Sequence, residues 1–107
     1  MSATLDRVRA LAARGAVVLS RHGSGKLLDR GLMIADLVDG LDGAVVVEEY
    51  PDHFKGPSVL VLQHDSTGRP VHVLWGLEKG TISPAVLVTA YRPEVTRWST
   101  DFLVRRR

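Results

Sequence analysis

The chain has 107 residues, of which 45% are hydrophobic and 24% are charged, and it contains no cysteine. This length suits one compact domain, so we expect a single domain over residues 1–107. The apolar runs are far shorter than the roughly 20 residues that a transmembrane helix needs, and the first residues do not resemble a secretory signal. The lack of cysteine excludes a disulfide framework and a thiolate zinc site. Composition therefore predicts a soluble, cytoplasmic protein that does not bind membranes.

The net charge of +2 hides an uneven distribution along the chain. Residues 1–31 carry six Lys/Arg and two Asp/Glu, residues 32–91 carry three and eight, and residues 92–107 carry five and two. The two ends are therefore basic and the middle is acidic. If the fold brings the ends together, they form a cationic patch of the kind that binds nucleic acid. A mixed surface, on which the charges neutralise one another, is the alternative.

Three helical segments are predicted in the first part of the chain. The first spans 4–14, where the apolar residues form one stripe and the initial threonine is the candidate N-cap. The second covers 20–31 and has Ser20 as its candidate N-cap, although Gly23 and Gly25 lower its helix propensity. The third is indicated by apolar residues at positions i, i+3, i+4 and i+7 within 34–41.

From residue 44 onward the hydrophobic pattern is typical of strands. Four β-rich runs, separated by turn residues, lie at 44–50, 58–64, 69–77 and 85–91. Helices followed by a meander of strands predict an α+β fold, with the N-terminal helices packed on one face of a four-stranded antiparallel sheet. After Pro93, residues 95–103 are predicted to form a short C-terminal helix that carries Trp98 and Phe102 back to the core.

Two groups of side chains are candidates for chemistry, and the first lies on the second helical segment. His22, Lys26 and Arg30 are spaced i, i+4 and i+8, so on a helix they form one polar stripe. An imidazole and two cations in a row can hold a phosphate and supply an acid or a base near neutral pH. A solvated helix face is the alternative interpretation of the same spacing.

The second group lies on the last two predicted strands. Strand alternation places Leu87, Thr89 and Tyr91 on one face, and pairing with the preceding strand would bring His72 onto that face. A histidine in a central strand needs hydrogen-bond partners there. Arg92 follows at the rim of the same face. A core histidine with a purely structural role is the alternative.

The other histidines and two adjacent glutamates give weaker evidence for a functional site. His53 and His64 lie in or beside turns and match no metal-ligand spacing, so a histidine-bound metal enzyme is only a third, weaker alternative. Glu48 and Glu49 could supply a general base, but they point to opposite faces of a strand and are interpreted mostly as solvated edge charges.

Several short motifs occur in a fixed order along the chain. They are Ser20-Arg21-His22, Arg30-Gly31, Glu49-Tyr50-Pro51, Gly68-Arg69-Pro70-Val71-His72-Val73, Val88-Thr89-Ala90-Tyr91-Arg92-Pro93 and Trp98. Together they resemble a family of small bacterial domains of unknown function that is similar to the RelE/MqsR group of toxins. The resemblance covers about residues 17–107. It implies a RelE-like fold whose open sheet face holds RNA.

The resemblance also implies an activity and partners. The activity is that of a metal-independent endoribonuclease, which needs no cofactor and cuts RNA by general acid/base chemistry. Its implied partners are RNA and an antitoxin protein, often a YgiT-type zinc finger, with the ribosome as a further partner. Because cleavage requires the 2′-OH, RNA is expected to be cut and DNA is not.

Three patterns of the family fall on this sequence, His-x-x-x-Arg-x-x-x-Arg on 22–30, Gly-Arg-Pro-x-His on 68–72 and Thr-x-Tyr on 89–91. If the protein is a toxin-like ribonuclease, these patterns imply that its candidate catalytic residues are His22, His72, Thr89 and Tyr91. Its candidate phosphate- and RNA-binding residues are Lys26, Arg30, Arg69 and Arg92. The histidines would supply the acid and the base, and the cations would stabilise charge on the phosphorane.

The second helical segment departs from the family pattern. Lys26 stands where arginine is usual, which keeps the charge but loses bidentate phosphate geometry. Gly23 and Gly25 loosen a segment that is usually a regular helix. The alternative function is therefore a non-catalytic module of the same fold that binds a protein or a nucleic acid.

Overall fold

The computed structural model describes residues 2–106, apart from the side chains of His22 and Ser24. Its helices are α1 (Ala3–Ala13), α2 (Arg21–Asp29) and α3 (Ile34–Asp39), and a 3-10 turn at Gly40–Gly43 follows α3. Its strands are β1 (Val17–Leu19), β2 (Val45–Tyr50), β3 (Ser58–His64), β4 (Pro70–Leu77) and β5 (Ala85–Tyr91). Within these residues no helix is long and apolar enough to cross a membrane.

The sheet has five strands in the order β1-β5-β4-β3-β2, and it is mixed rather than antiparallel. Strands β2 to β5 form the predicted antiparallel meander, whereas β1 pairs with β5 in parallel, from Val17↔Ala85 to Leu19↔Leu87. The prediction of four antiparallel strands is therefore wrong at this edge. Three residues are too few to show an alternating pattern, and a parallel partner far along the chain leaves no hairpin signal between them.

The helix α2 forms despite its two glycines because it packs directly against β5. The Ser20 hydroxyl caps the helix by accepting from the Gly23 amide at 3.0 Å, and it donates to the Val88 carbonyl at 2.8 Å. A Cβ atom added at Gly23 would lie 2.3 Å from that carbonyl oxygen, whereas one added at Gly25 would meet open space. The first glycine thus permits close approach of helix and strand.

One face of the sheet carries the helices and the hydrophobic core. The helical side of this core is formed by Leu5, Val8, Leu11, Leu27, Leu32, Leu37 and Leu41. The sheet contributes Val59, Val61, Val71, Val73, Trp75, Leu77, Ala85, Leu87 and Ala90. Buried Gln63 donates to the Leu37 carbonyl at 2.7 Å and accepts from the Trp75 indole at 2.9 Å, so the polar groups at this position are paired.

A bulge in β5 decides which side chains reach the other face, which we call the open face. Leu74 pairs with Thr89 and Trp75 pairs with Leu87, so β5 holds one extra residue between them. Leu87 consequently packs in the helix-side core. The prediction that it shares a face with Thr89 and Tyr91 is wrong, because simple alternation does not allow for the extra residue.

The predicted C-terminal helix over 95–103 does not form. Residues 95–97 make a turn, and Trp98 pairs with Arg105 as an isolated antiparallel bridge. The Asp101 carboxylate accepts from the Ser99 hydroxyl at 2.6 Å and from the Leu103 amide at 3.1 Å. Such local hydrogen bonds compete with helix formation. The segment instead folds back across the open face, where Trp98 is buried.

Candidate functional site

The imidazole of His72 lies at the centre of the open face and is fully buried. Its Nε2 atom lies 2.8 Å from the Phe102 carbonyl oxygen, which can only accept, so Nε2 carries a proton. Its Nδ1 atom lies 3.2 Å from the Tyr91 hydroxyl and, in the neutral ring, accepts a hydrogen bond from that hydroxyl. Burial lowers the pKa of His72 and raises the pKa of Tyr91, so both groups are neutral near pH 7.

His72 is enclosed by residues 93–106, which we call the cover segment. The Trp98 ring packs edge-to-face against the imidazole with ring centroids 4.4 Å apart. The Arg105 guanidinium lies 4.7 Å from the centre of the same indole ring. The Arg106 guanidinium donates to the Trp98 carbonyl at 2.6 Å and closes the turn. Phe102 has a φ of 62°, a left-handed conformation that is rare for an aromatic residue, at the position whose carbonyl binds His72.

Glu48 connects the cover segment to the edge strand β2. The Arg105 guanidinium donates to both carboxylate oxygens of Glu48 at 2.8 and 2.9 Å, and the Tyr50 hydroxyl donates to the same carboxylate. Hydrogen bonding to Arg105 lowers the pKa of Glu48, while burial raises the pKa of Tyr50. Glu49 points to the opposite face and accepts from the Ser2 hydroxyl. The interpretation of Glu48 as a solvated edge charge is therefore wrong.

The sequence alone sets Glu48 aside as an edge charge and gives no site role to Tyr50 or Arg105. Glu48 and Tyr50 are two positions apart on one strand, which places both on one face. This alternation could have predicted that the two side chains lie together. Arg105 carried no such signal, because it reaches the site through a fold-back of irregular chain.

Two pockets meet on the open face at Tyr91 and Arg105. One pocket, the arginine pocket, has a volume of about 530 Å³ and is lined by Arg30, Tyr91, Arg92, Glu94, Arg97, Trp98 and Arg105. The other, the apolar groove, has a volume of about 690 Å³. Its lining includes Leu60, Leu74, Val86 and Val88 of the sheet and the loop 53–57. A cationic site and an apolar site thus adjoin the same tyrosine.

Two of the predicted phosphate-binding residues are held at the arginine pocket by the sheet. Arg30 donates to the Ala90 carbonyl at 2.6 Å and lies 3.5 Å from the Thr89 hydroxyl. Arg92 donates to Asp65 at 2.6 Å and to a β4 carbonyl at 3.1 Å. Hydrogen bonds from Thr67 and Arg92 lower the pKa of Asp65 well below its usual range.

The remaining predicted site residues lie elsewhere. Lys26 and Arg69 are exposed and line neither the arginine pocket nor the apolar groove. His22 belongs to α2, but its side chain is outside the described part of the structure. The structure therefore brings together His72, Thr89, Tyr91, Arg30 and Arg92. Among the side chains it describes, no three of His, Asp or Glu converge as a metal-binding group.

A family profile described as "Domain of unknown function (DUF4258)" matches residues 19–92, more than half of the chain. The chain belongs to this family. It has no significant match among curated proteins or among solved structures. The DUF4258 region includes α2, α3 and strands β2 to β5, and with them His72 and Tyr91. Helix α1 and the cover segment lie outside it.

The DUF4258 region and the cover segment together form a chain of hydrogen bonds from Tyr91 through His72 to the Phe102 carbonyl. Tyr91 lines both pockets and donates to His72, whose second nitrogen is already bound to Phe102. A ligand hydroxyl at Tyr91 can give its proton to the phenol oxygen while the phenolic proton moves to Nδ1. The arginine pocket supplies positive charge beside this path. The arrangement is thus suited to deprotonating a hydroxyl next to an anion.

Proposed function

We propose that this protein is a metal-independent endoribonuclease that binds an RNA phosphodiester in the arginine pocket. The observation that carries the proposal is the hydrogen bond between Tyr91 and His72, which lies where the arginine pocket meets the apolar groove. The resemblance to RelE/MqsR toxins, which implies a RelE-like fold, supports the same activity.

The proposed reaction begins with the 2′-OH of the RNA. Its proton passes to the Tyr91 oxygen, the phenolic proton passes to Nδ1 of His72, and the 2′ oxygen attacks the adjacent phosphorus. The bond from phosphorus to the 5′ oxygen then breaks and leaves a 2′,3′-cyclic phosphate. His72 acts through Tyr91 because it is fully buried. The sequence left the order of the acid and the base open between the two histidines; with His72 as the base, His22 is the candidate acid that protonates the leaving 5′ oxygen.

Positive charge around the phosphate supports this assignment. Four arginines and one acidic residue, Glu94, line the arginine pocket, while Arg92 and Arg105 also pair with the carboxylates of Asp65 and Glu48, which do not line it. Arg30 and Arg92 are held by carbonyl groups of the sheet, so their positions are fixed before a ligand binds. Preorganised donors of this kind stabilise charge that develops in a transition state.

The decisive test compares cleavage of an RNA and of a DNA of the same sequence by purified protein in EDTA. Tyr91→Phe keeps the ring and removes the hydroxyl, so it is expected to lower RNA cleavage by at least about 100-fold. His64→Ala, at an exposed position outside both pockets, is the control and is expected to cleave normally. Products ending in a 2′,3′-cyclic phosphate would support the mechanism. Full activity of Tyr91→Phe would overturn it.

A non-catalytic module that binds RNA or protein is the second candidate. It is favoured by the enclosure of His72, whose two ring nitrogens both have partners and which lines neither the arginine pocket nor the apolar groove. For such a module, Arg30→Ala weakens RNA binding, Tyr91→Phe leaves binding unchanged, and neither protein cuts RNA.

The resemblance further supports an antitoxin as the protein partner, with a YgiT-type zinc finger as the first to test. Expression of the chain alone in a bacterial host is expected to arrest growth. The arrest should be relieved by Tyr91→Phe and by coexpression of the antitoxin. Cleavage only in the presence of ribosomes would make the ribosome a third partner.

A further inference from the structure

We infer that the apolar groove is a subsite for an unpaired nucleobase, whose own phosphate lies in the neighbouring arginine pocket. This inference rests on the proposed function, and it narrows the substrate class to single-stranded RNA. Two features of the groove support it, namely its shape and an exposed aromatic residue at its rim. A third argument comes from the charge at one end.

The groove has the size and lining that a flat ring requires. Its volume of about 690 Å³ lies within the range of small-molecule sites. Leu60, Leu74, Val86 and Val88 present aliphatic side chains to it from three adjacent strands. A nucleobase has two apolar faces and a polar edge, and Thr89 places a hydroxyl at the groove for that edge.

The loop 53–57 places an aromatic ring at the rim of the groove. Phe54 is 74% exposed, and its ring is stacked on His53 with centroids 4.8 Å apart. The Lys55 ammonium lies 5.7 Å from the same ring. Exposed aromatic side chains beside a cationic groove are the usual stacking surfaces for unpaired bases.

The rim is held in place by the backbone. Lys79 donates to the Lys55 carbonyl at 2.8 Å, and Leu77 donates to the Pro57 carbonyl at 2.9 Å. A Cβ atom added at Gly56, where φ is +129°, would lie 1.9 Å from the Leu77 carbonyl oxygen. The glycine therefore allows the loop to approach β4 closely, and the backbone of residues 55–57, next to Phe54, is held against β4 and the turn that follows it.

The charge at one end of the groove selects its occupant. Arg105 and Tyr91 border both pockets, so a ligand that fills the groove reaches the arginine pocket at that end. A nucleotide combines a flat apolar ring with a phosphate a few bonds away, and it satisfies both pockets at once. In a duplex the base is paired and stacked, so only single-stranded RNA can place one here.

The test measures binding of small ligands and does not depend on cleavage. The probes are the four 3′-nucleoside monophosphates, with ribose 5-phosphate and inorganic phosphate for comparison. Trp98, which packs between His72 and Arg105, provides a fluorescence signal from the arginine pocket. At least one nucleotide is expected to bind about tenfold more tightly than ribose 5-phosphate.

Phe54→Ala is expected to weaken nucleotide binding at least about fivefold and to leave inorganic phosphate binding unchanged. Ile82→Ala is the matched control, because Ile82 is 80% exposed and lies outside both pockets. Val86→Phe, which fills the groove from the sheet, should also weaken nucleotide binding selectively. Equal binding of nucleotide and ribose phosphate, or no binding of either, would overturn the base subsite.

The two proposals can fail separately. Tyr91-dependent RNA cleavage without any contribution of the base to binding would overturn only the base subsite. Selective nucleotide binding that depends on Phe54, with no cleavage of RNA either by the protein alone or in the presence of ribosomes, would support the subsite and overturn the nuclease.

Discussion

Arg105 and Glu48 form a two-pronged ion pair across 57 residues of chain, with donor–acceptor distances of 2.8 and 2.9 Å. Because Arg105 also lies over Trp98, which packs against His72, this pair joins the edge strand to the cover segment. The side chains of Arg105 and Glu48 are 57% and 31% exposed, so solvent screens the pair. Its contribution to the free energy of unfolding is expected to be about 1 kcal/mol or less.

Glu48→Gln should therefore change the position of the cover segment more than it changes stability. Loss of the carboxylate leaves Arg105 without its ion pair, and the segment over His72 is expected to open more often. Hydrogen exchange of residues 98–105 should become faster, and Trp98 should become more accessible to acrylamide quenching. Glu49→Gln, on the opposite face of the same strand, is the control and should leave both signals unchanged.

The two glycines of α2 should respond in opposite directions to alanine. Gly25→Ala meets open space and removes a helix-destabilising residue, so it should raise the free energy of unfolding by up to about 1 kcal/mol. Gly23→Ala places a Cβ atom where the Val88 carbonyl lies and should destabilise the protein. Urea denaturation of both variants measures these changes. Equal changes in one direction would contradict the packing of α2 on β5.

His72 should make the protein less stable as the solution becomes acidic. Burial lowers its pKa in the folded protein, so below about pH 6.5 the unfolded chain binds more protons than the folded protein. The free energy of unfolding should fall as the pH drops from 7 to 5, whereas above pH 7 this contribution is constant. His72→Gln should flatten the dependence in that range. His64→Gln is the matched control, and it should keep the slope.

Gln63 should be among the residues whose loss most reduces stability. Gln63→Leu keeps the approximate volume but leaves the Leu37 carbonyl and the Trp75 indole without their partners in the core. A loss of about 1–3 kcal/mol for each unpaired group is expected in denaturant unfolding. Adding Trp75→Phe removes one of the two unpaired groups. The double variant should therefore lose less than the sum of the two single changes.

Much of the fold could be predicted because its signals are local. The strands at 58–64 and 85–91 have the bounds that alternation and the flanking turns predict, and α3 begins where the apolar spacing begins. The partner of β1 could not be predicted, since three residues carry no periodic pattern. The prediction of a helix over 95–103 is wrong because the hydrogen bonds of Asp101 compete with a helix, and they depend on the folded turn.

In the candidate site, too, the contacts between neighbouring strands could be predicted, and the contacts made through irregular chain could not. The nearness of His72 to Tyr91 followed from two strands that are neighbours in sequence and in the sheet, where the two residues are directly paired. Arg105 and its partner Glu48 come together only through the fold-back of irregular chain. The same holds for Phe54, whose place at the groove depends on the close approach of Gly56 to β4.

The parallel pairing of β1 with β5 determines how early during translation the sheet can form completely. Translation produces Val17 long before Ala85, the residue to which it is registered, so β1 emerges from the ribosome with no strand to bind. Contacts this distant in sequence form late and slow folding. Tyr91 is made later still, and the cover segment after it. The contact between Tyr91 and His72, and the segment that covers it, can therefore form only after that stretch of the nascent chain has left the ribosome.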